Sequence, residues 1–196
     1  VYQDQALSDA DRLFPDEQVI GVTFERCQFS HRDWSQVTTR RCRFVDCDFT
    51  DTRWNGSGHH QSAFINCRFR GSNLFGAAFR ECKMTGSVFE EARWAGAAIT
   101  GGDWSYTSLR QVSWEGMDLT GIRFVEADFT QANLQHAVLR LANLELATMT
   151  GAQLAGADLR GAHLAGIDLA HLDWHRVRID VAQALLLATA LGAHIE

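Results

Sequence analysis

Between Ala132 and Leu169 the chain repeats itself every five residues, as ANLQH AVLRL ANLEL ATMTG AQLAG ADLRG AHLAG IDL. Each unit sets a small residue, a polar one, a Leu or Met, and then two freer positions. A period of five matches neither helix nor strand periodicity. Self-similarity at a fixed short period marks stacked repeats, in which a unit buries its apolar face only when the next is laid on it.

With the central Leu taken as position i, every i residue carries a number ending in 4 or 9. The same frame runs back through Phe129, Phe124, Leu119, Trp114, Trp104, Phe89 and Phe64 to Phe24 and Val19, and forward to Trp174 and Ile179. Only Thr39 and His59 break its apolar rule. Two residues before each centre the side chain is small or apolar, as at Cys27, Cys47, Cys67, Ala127, Ala147 and Ala157. Positions i and i−2 therefore point inward and the rest face water.

The unit resembles A(D/N)LXX, the signature of the pentapeptide-repeat family. That resemblance implies an all-β solenoid, a right-handed quadrilateral β-helix with four pentapeptides to a square turn. About eight coils would rise roughly 40 Å at the usual strand spacing. Residues twenty apart should then stack in four columns. The first runs from Phe24 through Phe44, Phe124 and Leu144, and the second from Phe29 through Phe49, Phe129 and Leu169. The third runs from Trp34 through Trp94, Trp114 and Trp174, and the fourth from Thr39 through His59 to Ile179.

Residues 1–18 precede the frame, 19–180 carry it, and 181–196 follow it. The leading segment holds five acids against Arg12. Ser8 and Asp11 suit the start of a short helix that Pro15 ends, and the segment is expected to cover the open edge of the first coil. It lacks the basic-then-apolar layout of a signal peptide. No apolar run approaches the ~18 residues of a membrane span. The expectation is a soluble cytoplasmic protein without membrane contact. A single proline and sixteen glycines suit regular corners, with Gly116, Gly121, Gly151 and Gly156 all at i+2.

Chemistry leaves little trace. No nucleophile with a base, no P-loop and no GxGxxG stands out, so neither catalysis nor a cofactor is expected. All five cysteines sit at i−2. A disulfide or metal ladder is conceivable, but buried thiols pack as small hydrophobes, and no metal is expected. In the stretch NGSGHHQ, His59 at an inward position reads either as a functional notch or as a local bulge around a hydrogen-bonded ring. Five of the six tryptophans share the third column. Their inward positions favour packing over an aromatic box for a planar ligand.

Charge divides the frame. Residues 19–100 hold eleven Lys and Arg against eight Asp and Glu, whereas 101–180 hold six against ten. Many of the later acids occupy i−1, where the family uses Asp or Asn to support the turn. Glu115, Glu126 and Glu145 lie outside that slot and point to a selected surface.

After Ile179 the sequence becomes DVAQALLLATALGAHIE. Asp180 with Gln183 three residues on makes a capping-box variant, and Gly192 suits a helix stop. Val181, Leu185, Leu186, Leu187 and Leu191 leave almost no polar face. A helix apolar nearly all round is covered on several sides. One side is expected to cap the last coil and another to meet a second copy by two-fold symmetry.

The runs SAFINCRFRGSNLFGAAFRECKMTGSVF (Ser62 to Phe89) and IDVAQALLLATALGA (Ile179 to Ala193) look like the fluoroquinolone-resistance branch of the family, the MfpA/Qnr group. The resemblance implies rod-like homodimers joined through the C-terminal helices, which bind DNA gyrase in place of duplex DNA and do not themselves bind nucleic acid. The acids expected to imitate phosphates are Asp103, Glu115, Glu126, Asp128, Glu145 and Asp168. Net charge is only −6 per chain, so mimicry would have to be local. The competing readings are an immunity protein against one gyrase toxin and a generic interaction scaffold with no topoisomerase target.

Overall fold

A computed structural model describes residues 1–4 and 18–195. The expected helix near Ser8 and Asp11 lies outside the described residues. The chain is a β-solenoid of pentapeptide repeats closed by one short C-terminal helix. Extended strands build about four turns. One sheet stacks β1 (Tyr2–Gln3), β3 (Thr23–Glu25), β5 (Arg43–Val45) and β7 (Ala63–Ile65). The other stacks β2 (Gln18–Ile20), β4 (Thr38–Arg40), β6 (Gly58–His60), β8 (Ala78–Arg80) and β9 (Ala98–Thr100). All pairs are parallel, and from β2 onward the register is twenty residues, Phe24 facing Phe44 and Phe44 facing Phe64. Past Thr100 single bridges such as Asp103–Arg123, Arg123–Asn143 and Asn143–His163 carry the same step.

The inward assignment holds throughout: every i residue from Val19 to Leu169 is buried, Thr39 and His59 included. Rings of the first column stack face to face, Phe44 on Phe64 at 4.7 Å and 5°. The tryptophans are packed in this column structure, with Trp54, Trp104 and Trp114 fully buried. The i+2 corners adopt left-handed backbone, which is why glycine recurs there; Gly116 has φ +68°. The five cysteines are buried free thiols. Cys47, Cys67 and Cys82 direct Sγ at the carbonyls of Phe24, Phe44 and His59, as Thr52 and Ser72 direct Oγ at Phe29 and Phe49. The i−2 slot therefore takes small side chains that can also bond across turns.

His59 sits in an unbroken strand, with Thr39 opposite it in regular register, so the expected bulge is absent. Its ring is hydrogen-bonded, as expected, Nδ1 to Thr39 at 2.8 Å and Nε2 to Ser57 at 3.0 Å. The short Thr39 and Ser57 bond the ring, and Phe79 of the next coil stacks on it at 5.1 Å, so the imidazole fits without displacing backbone.

The regular column has two irregular ends. Tyr2 pairs with Phe24 at a 22-residue offset and stacks its ring on it at 5.1 Å. At the other end the second column gives way to a 3-10 turn at Leu169–His171, and Trp174 and Ile179 are only half-buried.

Helix α1 (Val181–Ala190) closes the rod. Its capping box is present: the Asp180 carboxylate accepts from the Gln183 amide, and the Gln183 side chain accepts from the Asp180 amide. Both residues also reach the last coil. Gly161 N–H donates to Asp180 Oδ2 at 2.7 Å, where Leu141 one turn earlier donates to the Arg160 carbonyl. Gln183 Nε2 donates to the carbonyls of Leu159 and Ala162 at 2.6 and 2.8 Å. Two side chains thus stand where the backbone of a further turn would lie, and at Leu159, Gly161 and Ala162 they satisfy the edge of the stack.

Candidate interaction surface

The Asp and Asn residues at i−1 do local work. Oδ1 of Asp103, Asp118, Asp128 and Asn143 accepts the amide of the residue two further on, at 2.9–3.1 Å. This bond ties side chain to corner, as Asx turns do. Acidity in the i−1 slot is therefore structural in part, as the sequence pattern suggests.

The six candidate acids separate on the structure. Glu126, Asp128 and Glu145 come together at the corner between the first and second columns, and the Glu126 amide donates to the Glu145 carbonyl at 2.9 Å. Asp103 lies two turns before Asn143 on the first column. Glu115 projects from the third column, and Asp168 leads into the 3-10 turn.

Their charges are unequal too. Asp128 is held by Arg110 at 2.9 Å. Partial burial disfavours its charge, yet bonds from Thr130 and Arg110 outweigh that and keep its carboxyl below the usual aspartate value. Asp103 lies 3.7 Å from Arg123 and 4.0 Å from Lys83. Asp168 binds His171 at 2.8 Å, which raises the pKa of that imidazole. Glu145 is 4.0 Å from His163. Glu115 accepts only a weak bond from Asn133 at 3.4 Å, and Glu126 is exposed at a left-handed corner. Among the described residues, Glu115 and Glu126 make no ion pair. The fourth column is neutral where Arg160 forks onto Asp158 at 2.6 and 2.8 Å, bonds that hold the Asp158 carboxyl down to about 2.

The helix presents the second candidate surface. Gln183 and Leu187, four residues apart and so on one face, turn toward the last coil; Gln183 is buried and Leu187 partly so. The other four candidates remain open, with Val181, Leu185, Leu186 and Leu191 between 47% and 77% exposed. A single chain thus covers only Leu187 of the leucines expected to be buried.

Two features escape sequence reading. The additional bonds of Asp180 and Gln183 to the last coil are one. The other is a cleft of about 1040 Å³ on the third and fourth columns, between residues 91–100 and 111–120, with Glu115 on its rim. Among the described residues no group of three or more His, Cys, Asp or Glu could hold a metal. Nor, among the described residues, is any helix long and apolar enough to cross a membrane.

Comparison with known proteins agrees with this geometry. A family model described as "Pentapeptide repeat region" matches residues 19–94, and one described as "Pentapeptide repeats (8 copies)" matches residues 105–140 and 127–166. The pentapeptide repeat protein MfpA of Mycolicibacterium smegmatis is 34% identical over 65 residues, a match spanning 33% of this chain and 31% of that protein. A trypsin-treated variant of QnrB1, a plasmid-mediated fluoroquinolone resistance protein, superposes with TM-score 0.85 at 25% identity, covering 100% of this chain and 99% of the other. A second trypsin-treated QnrB1 structure gives 0.80 at 24%, over 91% and 97% of the two chains. On its repeat, its solenoid and these matches, the chain belongs to the pentapeptide-repeat family.

Proposed function

We propose that the protein is a homodimeric DNA mimic that binds DNA gyrase and inhibits its supercoiling, protects it from fluoroquinolones or a natural gyrase toxin, or does both. The likeness to QnrB1 over the whole chain carries this reading. In this reading the solenoid is a right-handed, four-sided rod of about eight coils. Two rods joined end to end through α1 span roughly 80 Å, near two dozen base pairs of duplex. The open leucines of α1 supply the two-fold contact, and the acidic corner lies on the half of each rod nearer that contact. The protein acts by binding, without catalysis or a cofactor, in the cytoplasm.

The ion pairs refine which acids act. Asp103 and Asp128 are engaged by arginines of their own chain, so the surface offered to a DNA-binding groove centres on Glu126 and Glu145. A purified-protein supercoiling assay with gyrase, with and without a fluoroquinolone, tests the proposal. Inhibition that added DNA relieves, together with drug protection, supports it. Unchanged supercoiling at large excess and no protection would favour a scaffold with another target.

A further inference from the structure

The cleft on the third and fourth columns is an interruption of the solenoid's own hydrogen bonding. One turn earlier the amides of Leu74 and Gly76 donate to Arg93 and Ala95, and one turn later those of Trp114, Gly116 and Leu119 donate to Asn133, Gln135 and Val138. At the joint between them, no backbone hydrogen bond and no bridge links residues 91–100 to 111–120 among the described residues. β9 is the last strand of its sheet. The other two columns stay closed at the same level, with Ser108 donating to Ser87 and Trp104 to Arg123. The rod is therefore parted on two sides and hinged on the other two.

Packing also changes at the joint. Phe69 and Phe89 stack at 10°, but Trp94 and Trp114 meet at 89°. Met117 occupies an i−2 slot that holds Ala97 one turn above and Ala137 one turn below. On the hinged side Gly102 has φ +95°, and a Cβ there would lie 2.1 Å from the Cys82 carbonyl oxygen, so only glycine permits that approach.

Two lips of unpaired strand edge facing one slot are a template for an added strand, in which backbone bonds give affinity and side chains give selectivity. The slot is acidic. Its charged lining is Glu91, Glu115 and Asp118 against Arg93; Glu91 is paired with Arg70, while Glu115 and Asp118 make no ion pair among the described residues. We propose that this cleft receives an extended, basic segment of a partner polypeptide, whose backbone completes the interrupted ladder and whose Lys or Arg side chains meet Glu115 and Asp118. This site is separate from the acidic corner and from α1, and it does not depend on gyrase being the target.

The test uses the full chain and three probe peptides: acetyl-Lys-Val-Lys-Val-Lys-Val amide, its Glu-Val counterpart, and the Lys-Val peptide N-methylated at alternate residues. Titration calorimetry should show saturable binding of the first alone. Amide exchange in residues 91–101 and 111–121 should slow when it binds. The double variant Glu115→Gln with Asp118→Asn, both exposed positions, should melt as the parent does and bind about tenfold more weakly. Equal binding of the N-methylated or the acidic peptide would overturn the proposal, as would no saturable binding of the basic one. Exchange in the free protein as slow at residues 94–101 as at 74–80 would show the joint closed in solution, and would overturn it too.

Discussion

The Thr39 hydroxyl and Nδ1 of His59 lie 2.8 Å apart inside the fourth column, the polar pair in an otherwise apolar stack. With the proton on Nδ1, every group around them is satisfied. Nδ1–H donates to Thr39, Thr39 donates to Ser62 at 3.0 Å, Ser62 donates to the His60 carbonyl at 3.3 Å, and Ser57 donates to Nε2. Burial disfavours the imidazolium, so the ring is neutral.

Burial pulls the pKa of His59 down to about 3. The unfolded chain takes up a proton there below about pH 6.5, and the folded chain does not. The contribution is fully present above that pH and is lost as pH falls, at about 1.4 kcal/mol per unit. Urea midpoints measured from pH 7.5 to 4.5 should fall accordingly. His59→Phe should be less stable at pH 7.5 by about 1–3 kcal/mol, because the Thr39 and Ser57 hydroxyls lose a partner. Its stability should nevertheless vary less with pH. An unchanged slope in the variant would place the acid sensitivity elsewhere.

Gln183→Leu removes the donor to the Leu159 and Ala162 carbonyls and the reciprocal half of the capping box. We expect a loss of about 1–3 kcal/mol and faster amide exchange in α1 and in the last coil. Exchange that quickens in the helix alone would mean that the side chain holds only the helix.

Leu186→Arg changes a residue 50% exposed in the single chain, so the fold should persist. A charge set against an apolar partner face should abolish the dimer. Sedimentation equilibrium decides this, and a parent chain that is already monomeric would refute the helix as an interface.

Glu126→Lys combined with Glu145→Lys should strongly weaken gyrase inhibition and leave thermal stability nearly unchanged, since both side chains lie outside the packed column. Arg80→Glu with Glu81→Arg, far from that corner, reverses two charges without changing the net charge and should do little. Inhibition by the parent should also fall with rising salt. A double variant that melts normally and inhibits at the parent's concentration would remove the acidic corner from the mechanism.

The repeat was legible because inward positions obey one rule over the whole frame, and because an i−1 Asp bonds only two residues away, as Asp128 does to Thr130. What depends on partners about a turn away was not. Asp128 counts as a free acid in sequence until Arg110, eighteen residues before it, is seen to hold it. The parted joint coincides with an 89° tilt between Trp94 and Trp114, which composition does not encode. His59 was recognised as an inward polar residue, but its regular strand depends on the small hydroxyl side chains that line its pocket. The entry of Tyr2 into the first column breaks the twenty-residue step, so no periodic reading finds it.

The pair Asp180 and Gln183 has a consequence for how long such a rod can be. Because two side chains imitate the backbone groups of a missing turn, the stopper needs little from the coil beneath it beyond a Gly161-like amide and two carbonyls. Those groups recur at every level of the stack. Insertion or removal of one whole turn upstream would present the same docking face to the same helix. Overall reach becomes adjustable in steps of one coil, and the distance between the two ends of a paired rod would change by two coils at a time, as graduations on a ruler.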